Sequence, residues 1–429
     1  MTIVLVVDIF DQLNNGTTMT AYRFAEMLQQ RGHDVRVVSI GDPEKNPYAV
    51  PEVFLPVATK LAHKQGFAFA KVDKSAIRRA FEGADVVHFL LPLNLERVAA
   101  KLAREMNVPS SAAFHLQPEN VTFIIHLSRL DWLAKGIYRF FRAYFYKHFD
   151  HIHCPSKFIA EQLILNGYQA KMHVISNGVD DDFVPPAEWV PQPDGLYHIL
   201  MVGRLSPEKR QSVLIEAVKR SKYADRIQLH LAGHGPCENK LRTQGEQLVH
   251  PPIFGFYSKP ELIRLIHSCD LYVHASVVEI EAISCMEAFS CGLVPVICDS
   301  DRSATRQFAL DARSLFTPDD PDDLARKIDY WIEHPAEKAE MSAAYARQGD
   351  TYRVSESVRR AEEMFEEVIR DHRLRSGGRV DWMADEAERT ADSPRSAKSG
   401  EVLAANDMLD ETSADHADPL AGGAAGDRS

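Results

Sequence analysis

Long apolar runs are missing from this 429-residue chain. No stretch approaches the roughly 18 consecutive apolar residues that a membrane-spanning helix needs, so nothing in it is expected to cross a bilayer. The N-terminus opens directly on Ile3-Val4-Leu5-Val6-Val7-Asp8, without a basic segment or a small-residue cleavage site, so no secretory signal is expected. Cysteine is sparse as well. Cys154, Cys237, Cys269, Cys285, Cys291 and Cys298 form no C-x-x-C pair and no Cys/His metal spacing, which reads as reduced core thiols in a cytosolic protein with no metal site. Positive charge is in deficit: 49 Lys plus Arg against 61 Asp plus Glu give a net charge of -12, the wrong sign for a nucleic-acid protein. That acidity is uneven. Residues 380–429 hold four basic and twelve acidic side chains, leaving 45 basic and 49 acidic residues elsewhere, and residues 1–190 balance at twenty of each. From residue 377 onward Asp, Glu, Ala, Gly and Ser dominate with almost no aromatics. Such a segment cannot bury enough apolar surface to offset its ordering entropy, so residues 377–429 are expected to form a disordered acidic tail.

What is present is an alternation of strands and helices. Thr2 to Val7 is a continuous apolar run, as in a strand buried on both faces of a parallel sheet. A polar loop, Asn14-Asn15-Gly16-Thr17, follows, then helical spacing through Ala21, Phe24, Ala25 and Leu28, and a strand from Val35 to Val38. Short apolar runs recur at Val86–Leu91, Ala112–His115 and His173–Ile175. The pattern stops between Asp180 and Gly195, where Pro185, Pro186, Pro191 and Pro193 exclude regular structure, and restarts at His198–Val202, Ile227–Ala232, Leu271–His274 and Val294–Cys298. The expectation is α/β: two doubly wound domains at 1–180 and 196–350 joined by a linker at 181–195, then a helix at 351–376 returning to the first domain. The Asp180-Asp181-Asp182 run falls at this linker and is expected to be solvated.

Chemistry concentrates in the second half. Strand His198–Val202 runs into Gly203-Arg204-Leu205-Ser206-Pro207-Glu208-Lys209. Ligands collect beyond the carboxyl ends of parallel strands, and two cations there suit a diphosphate; read alone, the pattern favours a surface Arg and Lys at a helix start. A second segment, Glu279-Ile280-Glu281-Ala282-Ile283-Ser284-Cys285-Met286-Glu287, lies between two strands. A helix is expected to start near Ser284 with its hydroxyl as N-cap, its free N–H groups facing the same crevice. Glu279 precedes that helix and could hold sugar hydroxyls, or could merely favour the helix dipole. Glu287 sits one turn inside among apolar neighbours, where a carboxylate wants partners and suits a ribose. A dehydrogenase is disfavoured, because Gly233-x-Gly235 lacks the third glycine and Glu238 stands in its place.

Together, Gly203-Arg204, Lys209, Glu279, Glu287 and the downstream Ala288, Gly292, Pro295, Val296 and Ile297, with Gly233-His234-Gly235-Pro236 and Ser176-Asn177-Gly178, resemble the retaining GT-B glycosyltransferases of the family 4 type over about residues 1–373. The resemblance implies the GT-B architecture, two Rossmann-like domains facing a cleft. It implies a catalytic set of His115, Arg204, Lys209 and Glu279. The implied donor-binding set is Gly16, Thr17, Gly203, Arg204, Lys209, Glu279, Ala282, Ile283, Ser284 and Glu287, with no metal and no cofactor beyond the sugar donor. One departure stands out: Ile280-Glu281-Ala282 occupies the place of the family's Gly-Phe-Gly. A narrower resemblance, to the bacterial cholesterol α-glucosyltransferases, is carried by Phe114-His115-Leu116-Gln117-Pro118-Glu119, Val278-Glu279-Ile280-Glu281-Ala282-Ile283 and Ser303-Ala304-Thr305-Arg306-Gln307-Phe308. It implies UDP-glucose as donor and a membrane lipid, a sterol, as acceptor. A glucosyl or galactosyl diacylglycerol synthase, a UDP-sugar epimerase and a non-catalytic nucleotide-sugar binder stay open.

Two basic sets could meet an anionic membrane. Between Leu127 and Phe149, eight aromatics from Trp132 to Phe149 interleave with Arg129, Lys135, Arg139, Arg142 and Lys147. Trp132, Arg139, Phe140, Arg142 and Lys147 are the expected membrane or acceptor contacts; a core helix with a wet basic face is the other reading. Lys60, Lys64, Lys71, Lys74, Arg78 and Arg79 form the second set. The expected location is the cytoplasm, peripherally on the inner face of the cell membrane.

Overall fold

The computed structural model describes residues 1–10, 16–53, 68–124, 130–189 and 192–376. The expected tail, Lys60, Lys64 and Arg129 lie outside the described residues. The first half runs β1 (Thr2–Val6), α1 (Gly16–Gln30), β2 (Asp34–Val38), α2 (Lys74–Phe81), β3 (Val86–Phe89), α3 (Asn94–Glu105), β4 (Ser110–Ala113), α4 (Pro118–Ile124), α5 (Asp131–Tyr144), β5 (His151–Cys154), α6 (Lys157–Leu165) and β6 (Lys171–Val174). Its six strands are parallel in the order β2-β1-β3-β4-β5-β6. Strand alternation splits the apolar run of β1 between two cores: Val4 and Val6 pack with Val87, Phe89, Ile152 and α3, while Ile3 and Leu5 pack on the other face. That is why β1 reads as unbroken hydrophobic sequence.

The second half runs β7 (Tyr197–Val202), α7 (Gln211–Arg220), β8 (Ile227–Ala232), α8 (Glu238–Gly245), β9 (Ile253–Gly255), α9 (Lys259–His267), β10 (Leu271–His274), α10 (Ile283–Ser290), β11 (Pro295–Cys298), β12 (Leu315–Phe316), α11 (Pro321–Glu333), α12 (Pro335–Asp350) and α13 (Val354–Arg375). Its parallel strands take the order β12-β11-β10-β7-β8-β9. The fold is α/β with two doubly wound sheets. From β7 the chain winds to β8 and β9, then returns to place β10 on the other side of β7. The reversal opens a crevice beyond the carboxyl ends of β7 and β10. Among the described residues, no helix is long and apolar enough to cross a membrane.

The chain passes between the lobes twice, and the two passages pair. The Val179 N–H donates to the Tyr352 carbonyl at 2.8 Å, and the Val354 N–H to the Val179 carbonyl at 2.8 Å. Immediately afterwards α13 lays Val358, Ala361, Met364, Phe365 and Val368 into the core face that holds Ile3, Leu5, Ala21 and Phe24. Gly178 stands at this crossing with φ +78, and a Cβ there would lie 2.6 Å from the Val354 Cα. Positive φ and backbone contact both demand glycine. Gly178→Ala is therefore expected to cost at least about 2 kcal/mol in urea unfolding; an unchanged midpoint would show that the paired crossing yields without penalty.

Candidate active site

The crevice is built by two loops. At the end of β7, Gly203 turns the chain; across from it Gly233 lies so close that a Cβ would sit 2.1 Å from the Gly203 carbonyl oxygen. The loop continues through exposed Arg204 to a short 3-10 turn, Pro207–Lys209. The loop after β10 meets it through a bond from the Val277 N–H to the Glu208 carbonyl at 3.0 Å. This contact sets Lys209 against Glu279.

Lys209 Nζ donates to Glu279 Oε1, and His274 Nε2 lies 3.0 Å from the same oxygen. Glu279 is buried. Burial pushes its carboxyl up, but the Lys209 ammonium and the His274 ring outweigh that and hold it down to about 2. His274 is wholly buried, with Nδ1 3.2 Å from the Tyr272 hydroxyl. A neutral His274 that donates from Nε2 and accepts at Nδ1 satisfies both neighbours.

Ser284 differs from expectation. α10 starts at Ile283 after Ala282, and no side chain caps it. The Ser284 hydroxyl is used elsewhere: it donates to the Val202 carbonyl at 3.1 Å and lies 3.2 Å from the Tyr272 hydroxyl, anchoring the helix start to the end of β7. Alanine has no side-chain acceptor to offer: the Cys285 N–H bonds the Ala282 carbonyl at 3.0 Å and the Ile283 N–H the Glu281 carbonyl at 3.2 Å, which leaves the Ser284 N–H for an anion entering the crevice. Glu287 is buried one turn on, its carboxyl pushed up to about 7 by burial, with Arg23 pulling it back down.

The first lobe contributes His115, which lies in the loop two residues past β4 rather than ending a strand at 115. Burial, with His153 beside it, drives its pKa down to about 3, so the ring is neutral at pH 7. The two rings meet edge-on with centroids 5.4 Å apart. Gly16 and Thr17, expected in a loop, instead open α1. Asp180, expected to be solvated, is paired: Arg23 of α1 lies 3.1 Å away and Lys259 of α9 3.5 Å away, so the carboxylate joins the two lobes beside Glu287. Half-buried Lys209 and the buried carboxylates at a strand-end crevice, on two doubly wound sheets, match a known architecture. Residues 14–183 match Glycosyltransferase Family 4, and residues 190–349 match Glycosyl transferases group 1. The chain is a GT-B glycosyltransferase.

Among its relatives, the alpha-monoglucosyldiacylglycerol synthase of Streptococcus pneumoniae is 24% identical over 69% of this chain and 70% of that protein. A GDP-mannose-dependent alpha-mannosyltransferase of Mycolicibacterium smegmatis is 27% identical over 69% and 79%. The solved catalytic domain of cholesterol-alpha-glucosyltransferase from Helicobacter pylori is 51% identical over 36% of this chain and 98% of that one, with a TM-score of 0.36, too low to argue structure from. Anabaena HepE, solved in complex with UDP, superposes over 86% of this chain and 100% of that one with a TM-score of 0.65 at 19% identity, a likeness of fold.

The glycosyltransferase lobes are latched by the segment that departs from the family pattern. Ser156 Oγ donates to the Ile280 carbonyl at 2.8 Å, and the Asn177 N–H donates to Glu281 Oε2 at 2.8 Å. Gln117 Nε2 adds a bond to the Arg302 carbonyl at 3.0 Å. Sequence reasoning missed Glu281, Arg23, Asp180 and His274. Only His274 carried a signal, a histidine at a strand's carboxyl end.

The expected membrane residues divide. On and after α5, Tyr138, Phe141, Phe145, Tyr146 and Phe149 are core side chains, while Trp132 is 68% and Phe140 57% exposed. Arg139 and Lys147 are exposed, but Arg142 donates to the Asn166 and Gly167 carbonyls at 3.2 and 2.8 Å, closing the end of α6. The aromatic stripe is thus mostly core.

Burial raises the Glu281 carboxyl from 4.5 to about 8. A carboxyl that titrates higher folded than unfolded contributes fully below its ordinary value, and that contribution fades as pH rises through the folded one. Glu281→Gln is expected to gain on the order of 4 kcal/mol over the parent at pH 8 and nothing at pH 4. Urea midpoints at the two pH values measure this, and an equal difference at both would refute the buried-acid assignment.

Proposed function

We propose that this glycosyltransferase moves glucose from UDP-glucose, with retention, to the hydroxyl of a membrane lipid, the preferred acceptor being a sterol. The observation that carries the proposal is the Lys209–Glu279–His274 cluster beside the uncapped start of α10. In this reading Arg204, Lys209 and the Ser284 N–H take up the charge of the departing diphosphate, so the leaving step calls for no metal. Glu279, kept ionised, receives hydroxyls of the transferred sugar. Glu287 receives those of the ribose, and neutral His115 faces the sugar from the other lobe. The acceptor oxygen attacks the anomeric carbon from the side the diphosphate leaves; as the carbon–diphosphate bond breaks, the hydroxyl proton passes to the departing diphosphate oxygen. Glucose and a lipid acceptor are supported by the cholesterol-glucosyltransferase-like residues around Phe114–Glu119, Val278–Ile283 and Ser303–Phe308, and by the likeness to a glucosyldiacylglycerol synthase. A relative dependent on GDP-mannose makes the donor a matter for direct competition.

Radiolabelled UDP-glucose or GDP-mannose, offered with cholesterol, diacylglycerol or no lipid and resolved by thin-layer chromatography, is the test. Label from UDP-glucose in an alkali-stable lipid is expected. An alkali-labile product would move the acceptor to diacylglycerol, label from GDP-mannose would replace the donor, and donor conversion without lipid would point to an epimerase. Folded Lys209→Ala is expected to lose roughly 10²–10³-fold in turnover.

For the membrane, the proposal places the inner-leaflet contact at the exposed part of α5 and the end of α6. Trp132, Phe140, Ile164 at 60% and Leu165 at 78% exposure lie with Lys135 and Arg139. An open cleft of about 910 Å³, lined by Lys135, Tyr138, Arg139, Phe158 and Leu165, leads from this surface to Arg302 of the second lobe. Aromatic rings flanked by cations suit an anionic interface. The double variant Trp132→Ser, Phe140→Ser is expected to reduce co-sedimentation with anionic vesicles several-fold while leaving the melting midpoint intact; unchanged binding would move the contact elsewhere.

A further inference from the structure

Sequence spacing showed no metal site, yet the fold brings distant ligand types together. His151 opens β5, His173 lies on the neighbouring β6, and Glu367 projects from α13. One ligand atom of each falls within 4.8 Å of the others. His151 Nδ1 and His173 Nε2 face each other at 3.0 Å, close to the roughly 3.4 Å that separates two ligands each about 2.1 Å from a tetrahedral zinc ion. Asp371, one turn beyond Glu367, places Oδ2 3.2 Å from His151 Nε2. A proton on Nε2 leaves Nδ1 bare, the tautomer a metal takes; Asp371 stands at ion-pair distance from Nε2 without a hydrogen bond to it. Glu367 is bonded by Lys171 Nζ, and Arg370 lies 3.8 Å from the same carboxylate oxygen, so two cations compete with an ion for it.

We propose that His151, His173 and Glu367 form a site for a borderline divalent metal ion, zinc above all, with water as the fourth ligand. Two imidazoles and a carboxylate are hard for magnesium or calcium to prefer and well matched to zinc, cobalt or nickel. The ion would take the place of the proton between the two imidazoles, His173 then carrying its proton on Nδ1, and would draw Glu367 from Lys171. Its ligands come from two strands of the first lobe and from the helix that follows the second lobe, so it would staple α13 across the β5–β6 edge. It takes no part in the crevice chemistry, since none of its ligands touches Lys209, Glu279 or His115.

The test uses the full chain without a histidine tag, stripped with chelator and dialysed. Zinc chloride titrated by calorimetry is expected to fill one tight site per chain and to raise the melting midpoint, and cobalt(II) to give visible ligand-field bands. Glu367→Gln, at a half-buried position of α13, and His173→Ala are each expected to weaken zinc binding at least tenfold. Absence of a tight site in the parent, or a tight site kept unchanged by Glu367→Gln and His173→Ala, overturns the proposal. Circular dichroism identifies any variant that fails to fold, in which case Glu367→Gln alone decides.

Discussion

The crevice depends on one buried ion pair. Glu279 has lost most of its water, and an isolated carboxylate there would take up a proton. Lys209 and His274 keep it charged. Buried pairs of this kind add little net stability, because desolvation of both ions offsets their attraction. Their effect is positional: the Gly203–Lys209 loop and the loop after β10 must stay in register for the pair to exist, and Val277 N–H to Glu208 carbonyl is the backbone expression of that register. Losing one partner leaves the other buried and unpaired, roughly a 3–5 kcal/mol penalty, so sheet order and site geometry are bound together.

Around this pair, protonation follows neighbourhood rather than residue type. Glu279, Glu281 and Glu287 are all buried and lie within nine residues of one another, yet the first is held at about 2 and the others rise to about 8 and 7. The difference is the partner: Lys209 touches Glu279, a backbone N–H serves Glu281, and Arg23 acts on Glu287 without an ion-pair contact. The histidines run the opposite way. His88, His115, His153 and His173 are kept neutral by burial. Groups whose folded pKa lies below 6.5 contribute fully above that value and less as pH falls, whereas Glu281 and Glu287 lose their contribution as pH rises. Stability is squeezed from both sides around neutral pH.

Much of this was legible in sequence where a local rule sufficed. The unbroken apolar run of β1, the glycine after β7 and the helix at Gln211–Arg220 follow from periodicity and backbone chemistry. β9 and β12, of three and two residues, are too short to carry a period. Ser284 looked like an N-cap because serine before an apolar helix usually is one; the Val202 carbonyl, eighty-two residues away, claims it instead. Asp180 sits in an acidic run that locally implies solvation, and its partners Arg23 and Lys259 come from both lobes. Glu281 looked like a defect in a glycine-rich motif until its acceptor role for Asn177 located it at the lobe contact. At Ser284, Asp180 and Glu281 the miss is a long-range hydrogen bond or ion pair overriding a local preference.

The same logic narrows the aromatic segment. Aromatics and cations interleaved on one helix describe both a core helix and a membrane-facing one, because a period of 3.6 puts both sets on every turn. Burial separates them: Tyr138 stacks on Phe114 with centroids 5.8 Å apart, and Phe145 packs against Phe89 and Phe149. These rings serve the first-lobe core. Trp132 and Phe140 have no such role that would explain burying so little of a large apolar side chain, and they share their surface with Leu165. The proposed lipid contact would bring such a group and its neighbours Lys135 and Arg139 to an interface that rewards both. The first lobe's balanced charge, against the net -12 of the whole chain, removes the long-range repulsion that would otherwise oppose that contact.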